Sequence, residues 1–167
     1  MAPALGGAGY RDAMSAQPDR TASVPPLTLD AARGVLDAQP FSRLVGAELA
    51  AFEPGRAELR VPLRAELLQQ FGFVHGGLFG YAVDNALTFA GGSVLGPSVV
   101  TRGFAVEYLR PGQGALLIAR AEAVSHSRRQ ALCRCDVFVQ DEQGDETHCA
   151  AAQGTIAVID LAGREPV

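Results

Sequence analysis

Residues 69–88 read QQFGFVHGGLFGYAVDNALT, and the way this stretch folds decides the fold of everything around it. It opens on amides and aromatics, passes through His75-Gly76-Gly77, and continues almost wholly apolar but for Asp84, Asn85 and Thr88. Gly76-Gly77 followed by Leu78-Phe79, Tyr81-Ala82-Val83 and Ala86-Leu87 predicts a glycine turn opening a helix of about four turns. A helix apolar on nearly every side must be buried on nearly every side. Asp84 and Thr88 are four residues apart and share one helical face, and Gly77, Gly80 and Gly91 fall close to the same stripe. A carboxylate taken out of water needs partners, and nothing basic stands at helical spacing from Asp84. It therefore either bonds to a neighbouring loop or serves chemistry. The glycines beside it predict close approach of another backbone or a ligand.

Length and composition limit what can surround this helix. A chain of 167 residues suggests one domain with a substantial core. A net charge of -4 with both signs scattered leaves no basic patch, which argues against nucleic acid as a partner. Cys133, Cys135 and Cys149 are odd in number and lack zinc spacing, so no metal is expected, and the three read as reduced core residues. No stretch resembles a signal-peptide core or a membrane span, which predicts a soluble, cytoplasmic protein.

Taken in order, residues 1–26 are rich in Ala, Gly, Pro and Ser without a helical or strand period and predict a flexible tail, and deletion of residues 1–24 is expected to leave activity and melting temperature nearly unchanged. Thr28 can cap a helix through Gln39, with Pro40 at its end. Residues 44–52 and 56–63 read as a hairpin around Glu53-Pro54-Gly55-Arg56, with Ala57, Leu59 and Val61 alternating against Glu58 and Arg60. Beyond the long helix, residues 99–109, 115–125, 130–140 and 147–159 read as four strands with short connections, which predicts an antiparallel meander. Their length implies strong curvature. A very apolar helix between the hairpin and these strands can bury itself only in the concavity of the sheet. The expected fold is α+β, one curved antiparallel sheet wrapped around one long central helix, over residues 27–160, with 161–167 as a C-terminal tail.

Val74-His75-Gly76-Gly77, the acid eight residues after Gly76, Tyr108-Leu109-Arg110-Pro111 in the next strand and Gln153-Gly154-Thr155 in the last resemble the hotdog-fold acyl-CoA thioesterases, in particular the PaaI-like group. The resemblance covers residues 40–159. It implies hydrolysis of an acyl-coenzyme A thioester with no cofactor, CoA being part of the substrate. It also implies homodimers joined edge to edge and pairing again into homotetramers. It assigns Asp84 as general base or nucleophile, and the Gly76 N–H as the group that polarises the thioester carbonyl. Gln69 matches the amide that orients substrate or water, Thr88 matches a hydroxyl one turn after the acid, and Thr101 stands where a Ser or Thr lies near the lytic water. His75 belongs to the motif and more simply orders the turn than transfers a proton.

The physics of the motif points the same way. Amides at a helix N-terminus and the positive end of its dipole suit an oxyanion. From Gly76 to Asp84 is about 12 Å along a helix, too far for both to touch one carbonyl. Two chains with antiparallel helices across a twofold axis would bring Gly76 of one near Asp84 of the other, giving a dimer with two shared sites. For the CoA phosphates the candidates are Ser127, Arg128 and Arg129, with Arg110 and Arg102, since guanidinium groups bind phosphate oxygens in pairs. Arg128-Arg129 reads equally well as a solvated turn. Phe71, Phe73, Phe79 and Phe89 permit an aromatic or medium aliphatic acyl group.

Two other functions fit such a chain. A dehydratase or hydratase would want a His paired with the acid, yet the residue at the Asp-x-x-x-x-His position is Phe89. A binding protein gripping acyl-CoA or acyl carrier protein without chemistry would lack the acid, and Asp84 is present.

Overall fold

The computed structural model describes residues 27–160; the segments 1–26 and 161–167, read from sequence as tails, lie outside the described residues. Thr28 caps α1 (Leu29–Ala38) by accepting from the Ala31 N–H at 3.2 Å. The chain does not then enter a strand as expected. Pro40 opens a second helix, α2 (Pro40–Val45), which closes on Gly46 at φ 75°. Proline suits a first helical turn, where its missing N–H has no partner to lose, and glycine suits the left-handed residue after the last turn. The first strand therefore starts four residues later than predicted.

Next come β1 (Glu48–Glu53) and β2 (Arg56–Pro62), paired as the expected hairpin, with Ala57, Leu59 and Val61 buried. A short 3-10 turn (Ala65–Leu67) and a bridge between Leu68 and Val74 lead into α3 (Gly76–Leu95). Its 20 residues make it longer than the four turns read from sequence, because Gly91 and Gly92 lie within it instead of ending it. The remaining strands are β3 (Val99–Tyr108), β4 (Leu116–His126), β5 (Gln130–Gln140) and β6 (Glu146–Val158). All pairings are antiparallel, and α3 packs on all six strands. The helix lies in the concavity of one sheet, as anticipated.

The expected four-strand meander is corrected. The sheet order is β1-β2-β4-β5-β6-β3, so only β4, β5 and β6 follow one another, while β3 lies at the far edge beside β6. The connection from β3 to β4 makes the jump possible. Leu109 and Arg110 donate backbone bonds to Cys149 O, Gly112 O accepts from Val74, and Ala115 donates to Gln140 O, so the chain is strapped across the ends of β6 and β5. A Cβ at Gly112 would come 2.7 Å from Val139, and one at Gly114 would collide with the Gln140 carbonyl. Two glycines let the strap lie flat against the sheet end.

On the concave side Ala82, Val83, Ala86, Leu87 and Ala90 of α3 meet Leu59, Leu117, Cys133, Val137 and Ile156, all fully buried. The three cysteines are free and buried. The convex face carries an ion ladder, Arg60–Glu58–Arg120–Glu146, with contacts of 2.6 to 2.8 Å. Burial works against ionisation of Glu58, but hydrogen bonds from Arg120 and Arg60 outweigh it and hold the carboxyl below its ordinary range. No helix among the described residues is long and apolar enough to cross a membrane.

Candidate active site

Along α3 one stripe is not covered by the sheet. Gly77 is exposed, and Gly80, Tyr81, Asp84, Asn85 and Thr88 are only half-buried, unlike the residues facing the strands. The stripe read from sequence is thus split. A Cβ at Gly80 would meet nothing within 4 Å, whereas one at Gly91 would lie 2.7 Å from Ile156 of β6. The close approach predicted for Gly91 is made by the chain's own sheet.

Asp84, Thr88 and Thr101 come together. Thr88 donates from Oγ1 to the Asp84 backbone oxygen at 2.8 Å, and its Oγ1 lies 2.7 Å from the Thr101 Oγ1. Because a hydroxyl has one proton, Thr88 spends its own on Asp84 O, and the shared bond must be donated by Thr101. Thr101 therefore shows its remaining lone pairs to its surroundings and acts there as an acceptor. The Asp84 carboxylate itself makes no bond through Oδ1, an atom buried with no hydrogen-bond partner among the described residues. Native proteins rarely leave such an oxygen orphaned without a functional reason. Nearby, burial pushes the Tyr81 phenol above its ordinary range against the opposing effect of its bond to Ser42, with the Asp84 charge adding to the rise, so it stays protonated and donates to Ser42 Oγ at 2.8 Å.

These three residues border a cavity of about 940 Å³. Its other walls include Val35 of α1, Phe52 of β1, Phe89 and Leu95 of α3, and Val99 and Val100 of β3. Phe52 and Phe89 meet edge to face at 6.2 Å. Of the four phenylalanines proposed for an acyl group, Phe89 alone lines this space. Phe71 is 74% exposed, and Phe79 is buried against Tyr108. Asn85, Phe52 and Val35 were not singled out from sequence. Asn85 follows Asp84 and lies four residues after Tyr81, whose carbonyl it bonds at 3.2 Å, so helical spacing alone could have placed it on the open stripe. Phe52 and Val35 come from distant elements and had no such signal.

At the other end of the helix the amides are ordered one by one. His75 is the N-cap: its Nδ1 accepts from the Gly77 N–H at 2.9 Å and its carbonyl from Leu78 at 2.9 Å, while its own N–H reaches Leu67 O at 3.0 Å. These bonds tie His75 into the turn that opens the helix. The Gly76 N–H is left without a partner among the described residues. Gln69 lies in the loop just before, tied by its backbone to Phe73 and Gly72.

The structure does not bring the candidate CoA contacts together in one chain. Ser127, Arg128 and Arg129 form the exposed β4–β5 turn, where Arg129 O accepts from Val158 at the end of β6. Arg110 lies at the opposite end of β6, its guanidinium bonded to His148 O at 3.1 Å. Among the described residues no cluster of three or more His, Cys, Asp or Glu could hold a metal ion.

The model of the thioesterase superfamily matches residues 71–145. A mutant of the phenylacetic acid degradation protein PaaI from Thermus thermophilus is 30% identical, with the match covering 72% of this chain and 100% of that one, at a TM-score of 0.63. The chain belongs to the hotdog-fold thioesterases. It is also similar to a thioesterase family protein from Silicibacter pomeroyi, 29% identical over 77% of this chain and 95% of that one, with a TM-score of 0.73. The thioesterase is thus a thioester hydrolase by family, on the sheet-around-helix architecture read from its sequence.

Proposed function

We propose that this thioesterase hydrolyses a medium-chain or aryl acyl-coenzyme A to the free acid and CoA, in a homodimer that shares its active sites. The observation that carries the reading is the orphaned, buried Asp84 Oδ1 beside an apolar cavity large enough for such an acyl group. Asp84 acts as general base on a water, or as nucleophile through a mixed anhydride that water then opens. With Thr101 presenting only lone pairs, it and Asp84 can accept both hydrogens of one water and aim its oxygen at the thioester carbon. The Gly76 N–H takes the oxyanion, Gln69 orients substrate or water, and the sulfur leaves as CoA thiolate and takes up a proton.

One chain cannot gather these groups, since Gly76 and Asp84 are about 12 Å apart along α3. The two halves are also set apart on β3, where Thr101 stands near the start and Tyr108 at the end. Antiparallel pairing of β3 with β3 of a second copy would set the start of one strand against the end of the other. It would also draw Arg110 of one chain toward Arg128 and Arg129 of the other, where all three could meet CoA phosphates. Pairs of dimers would then form the tetramer. The dehydratase alternative fits less well: among the described residues no histidine lines the Asp84 cavity, and His75 is occupied as a cap.

The test is a screen of short, medium and aryl acyl-CoAs by release of free thiol, run with Asp84→Asn alongside. Turnover of at least one medium or aryl thioester, lost in the variant, is the expected result. Tight binding of acyl-CoA without hydrolysis would favour a binding protein instead. The shared site is tested by mixing Asp84→Ala with Gly76→Pro under conditions of subunit exchange. In a mixed dimer one site carries both lesions and the other none, so activity should return toward roughly a quarter of wild type. No recovery after proven exchange of two folded variants would place the whole site within one chain.

A further inference from the structure

Tyr108 ends the exposed edge strand and is itself 57% exposed, yet its hydroxyl is committed. It donates to the Gly76 carbonyl at 3.0 Å. The ring is held edge to face against Phe79 at 5.8 Å, and a Cβ on Gly76 would lie only 3.4 Å from the hydroxyl oxygen. The Gly76–Gly77 peptide is therefore gripped at both ends: Tyr108 holds its C=O and His75 Nδ1 holds its N–H. On the other side of Gly76, the His75 carbonyl is held by the Leu78 N–H and the His75 N–H by Leu67 O. The Gly76 N–H, without a partner among the described residues, lies in the His75–Gly76 plane, beside the plane that Tyr108 holds.

An oxyanion donor is effective when its dipole is already aimed and nothing has to reorganise as charge develops. Resting on the reading of Gly76 as that donor, we infer that Tyr108 is a positioning residue: by holding the Gly76–Gly77 peptide, the plane next to the donor's own, it limits the rotation of Gly76 that would swing its N–H out of line, without touching the substrate's reacting atoms. Glycine is the residue whose backbone most needs such restraint. The Gly76 N–H, a first-turn amide, has no helical carbonyl of its own to bond, so its aim depends on how the peptides around it are held. Tyr108 also couples the helix start to the edge strand, so the donor is set by the same strand that carries Thr101.

The test is a double-mutant cycle of Tyr108→Phe and Gly76→Pro, read as kcat, KM and melting temperature. Gly76→Pro suits the backbone: proline is favoured at the first helical position, and His75 before it is extended at φ -65° and ψ 133°, as a residue preceding proline prefers. Tyr108→Phe keeps the ring and its contact with Phe79. It should lower kcat roughly five- to tenfold, with KM and melting temperature nearly unchanged, and should have no further effect in the Gly76→Pro background. Full kcat in Tyr108→Phe, while Gly76→Pro loses turnover, overturns the role of Tyr108 and leaves the oxyanion reading standing. Equal losses in both backgrounds show that Tyr108 acts elsewhere. Full turnover in Gly76→Pro removes the oxyanion reading and the role of Tyr108 with it. A second measurement does not depend on the proline variant: the infrared carbonyl stretch of a bound acyl-CoA analogue whose thioester sulfur is replaced by CH2. That stretch should rise in frequency in Tyr108→Phe, as the carbonyl is less polarised, and an unchanged frequency would falsify the inference.

Discussion

β1 and β3 are the two edges of the same sheet and differ in almost every respect. β1 is six residues long, irregular between Leu49 and Ala51, and covered by α1, whose Arg33 donates from Nε to Leu49 O at 3.0 Å. β3 is ten residues long, pairs with β6 on one side, and has no strand on the other among the described residues. Val100, Phe104 and Tyr108 are exposed along it. Proteins shorten, bulge or cover an edge to keep other chains off, and β1 shows all three devices. A long apolar edge left open is a liability unless something pairs with it. β3 also carries Thr101 near Asp84 and Tyr108 beside Gly76, so the edge left open is the one that borders both halves of the proposed site. From this contrast, substitutions around β3 should act on turnover or assembly, and those around β1 on stability.

The strongest way to break the contrast is Asp84→Asn. Turnover should fall by about two to four orders of magnitude, the range for an acid-base group, with circular dichroism and melting temperature preserved. An active, folded variant would strip the open edge of its chemistry. Next, Phe104→Lys places a charge on the open edge and should shift the protein to a smaller species by light scattering, with activity lowered roughly tenfold or more. A variant of unchanged mass would show that β3 is not where copies join.

Stability effects should follow burial within the chain instead. Gly91→Ala forces a methyl group against Ile156 and should cost about 1–3 kcal/mol in denaturant unfolding. Gly80→Ala has open space around it in one chain, so any cost should appear as weaker assembly. The smallest effect expected is that of Arg33→Ala at the covered edge, about 0.5–1.5 kcal/mol of stability for one lost hydrogen bond, with turnover intact. A larger loss of activity than of stability there would erase the distinction between the edges.

Much of this was legible in the chain itself, because local signals and burial agreed. Leu78 to Ala90 is apolar but for Asp84, Asn85 and Thr88, and a sheet wrapped about it is what buries its apolar sides. Alternation at Ala57, Leu59 and Val61 gave the buried face of β2 directly. The α2 helix was missed although Pro40 and Gly46 mark its ends, since six residues give too little periodicity to outweigh the strand pattern that follows. Strand order was misread for a deeper reason. Neighbours in sequence are neighbours in space only by tendency, and the crossing strap depends on how Gly112 and Gly114 fit Val139 and Gln140, contacts that no local pattern encodes. Asp84 and Thr88 were linked by helical spacing. Thr101 was matched through the family motif, whereas the proton order that makes it an acceptor needed the Thr88 contact.

The buried thiols have a practical consequence. Burial pushes Cys133 up to about 11 and Cys135 up to about 12, and raises Cys149 as well, so at neutral pH all three are protonated and sealed within the sheet. Thiolate is the form that attacks a disulfide reagent, so the folded protein should be silent toward the dyes that report free CoA. Hydrolysis can then be followed against a flat background. The same dye turns into a clock for unfolding, because Cys133, Cys135 and Cys149 become reactive when the sheet opens.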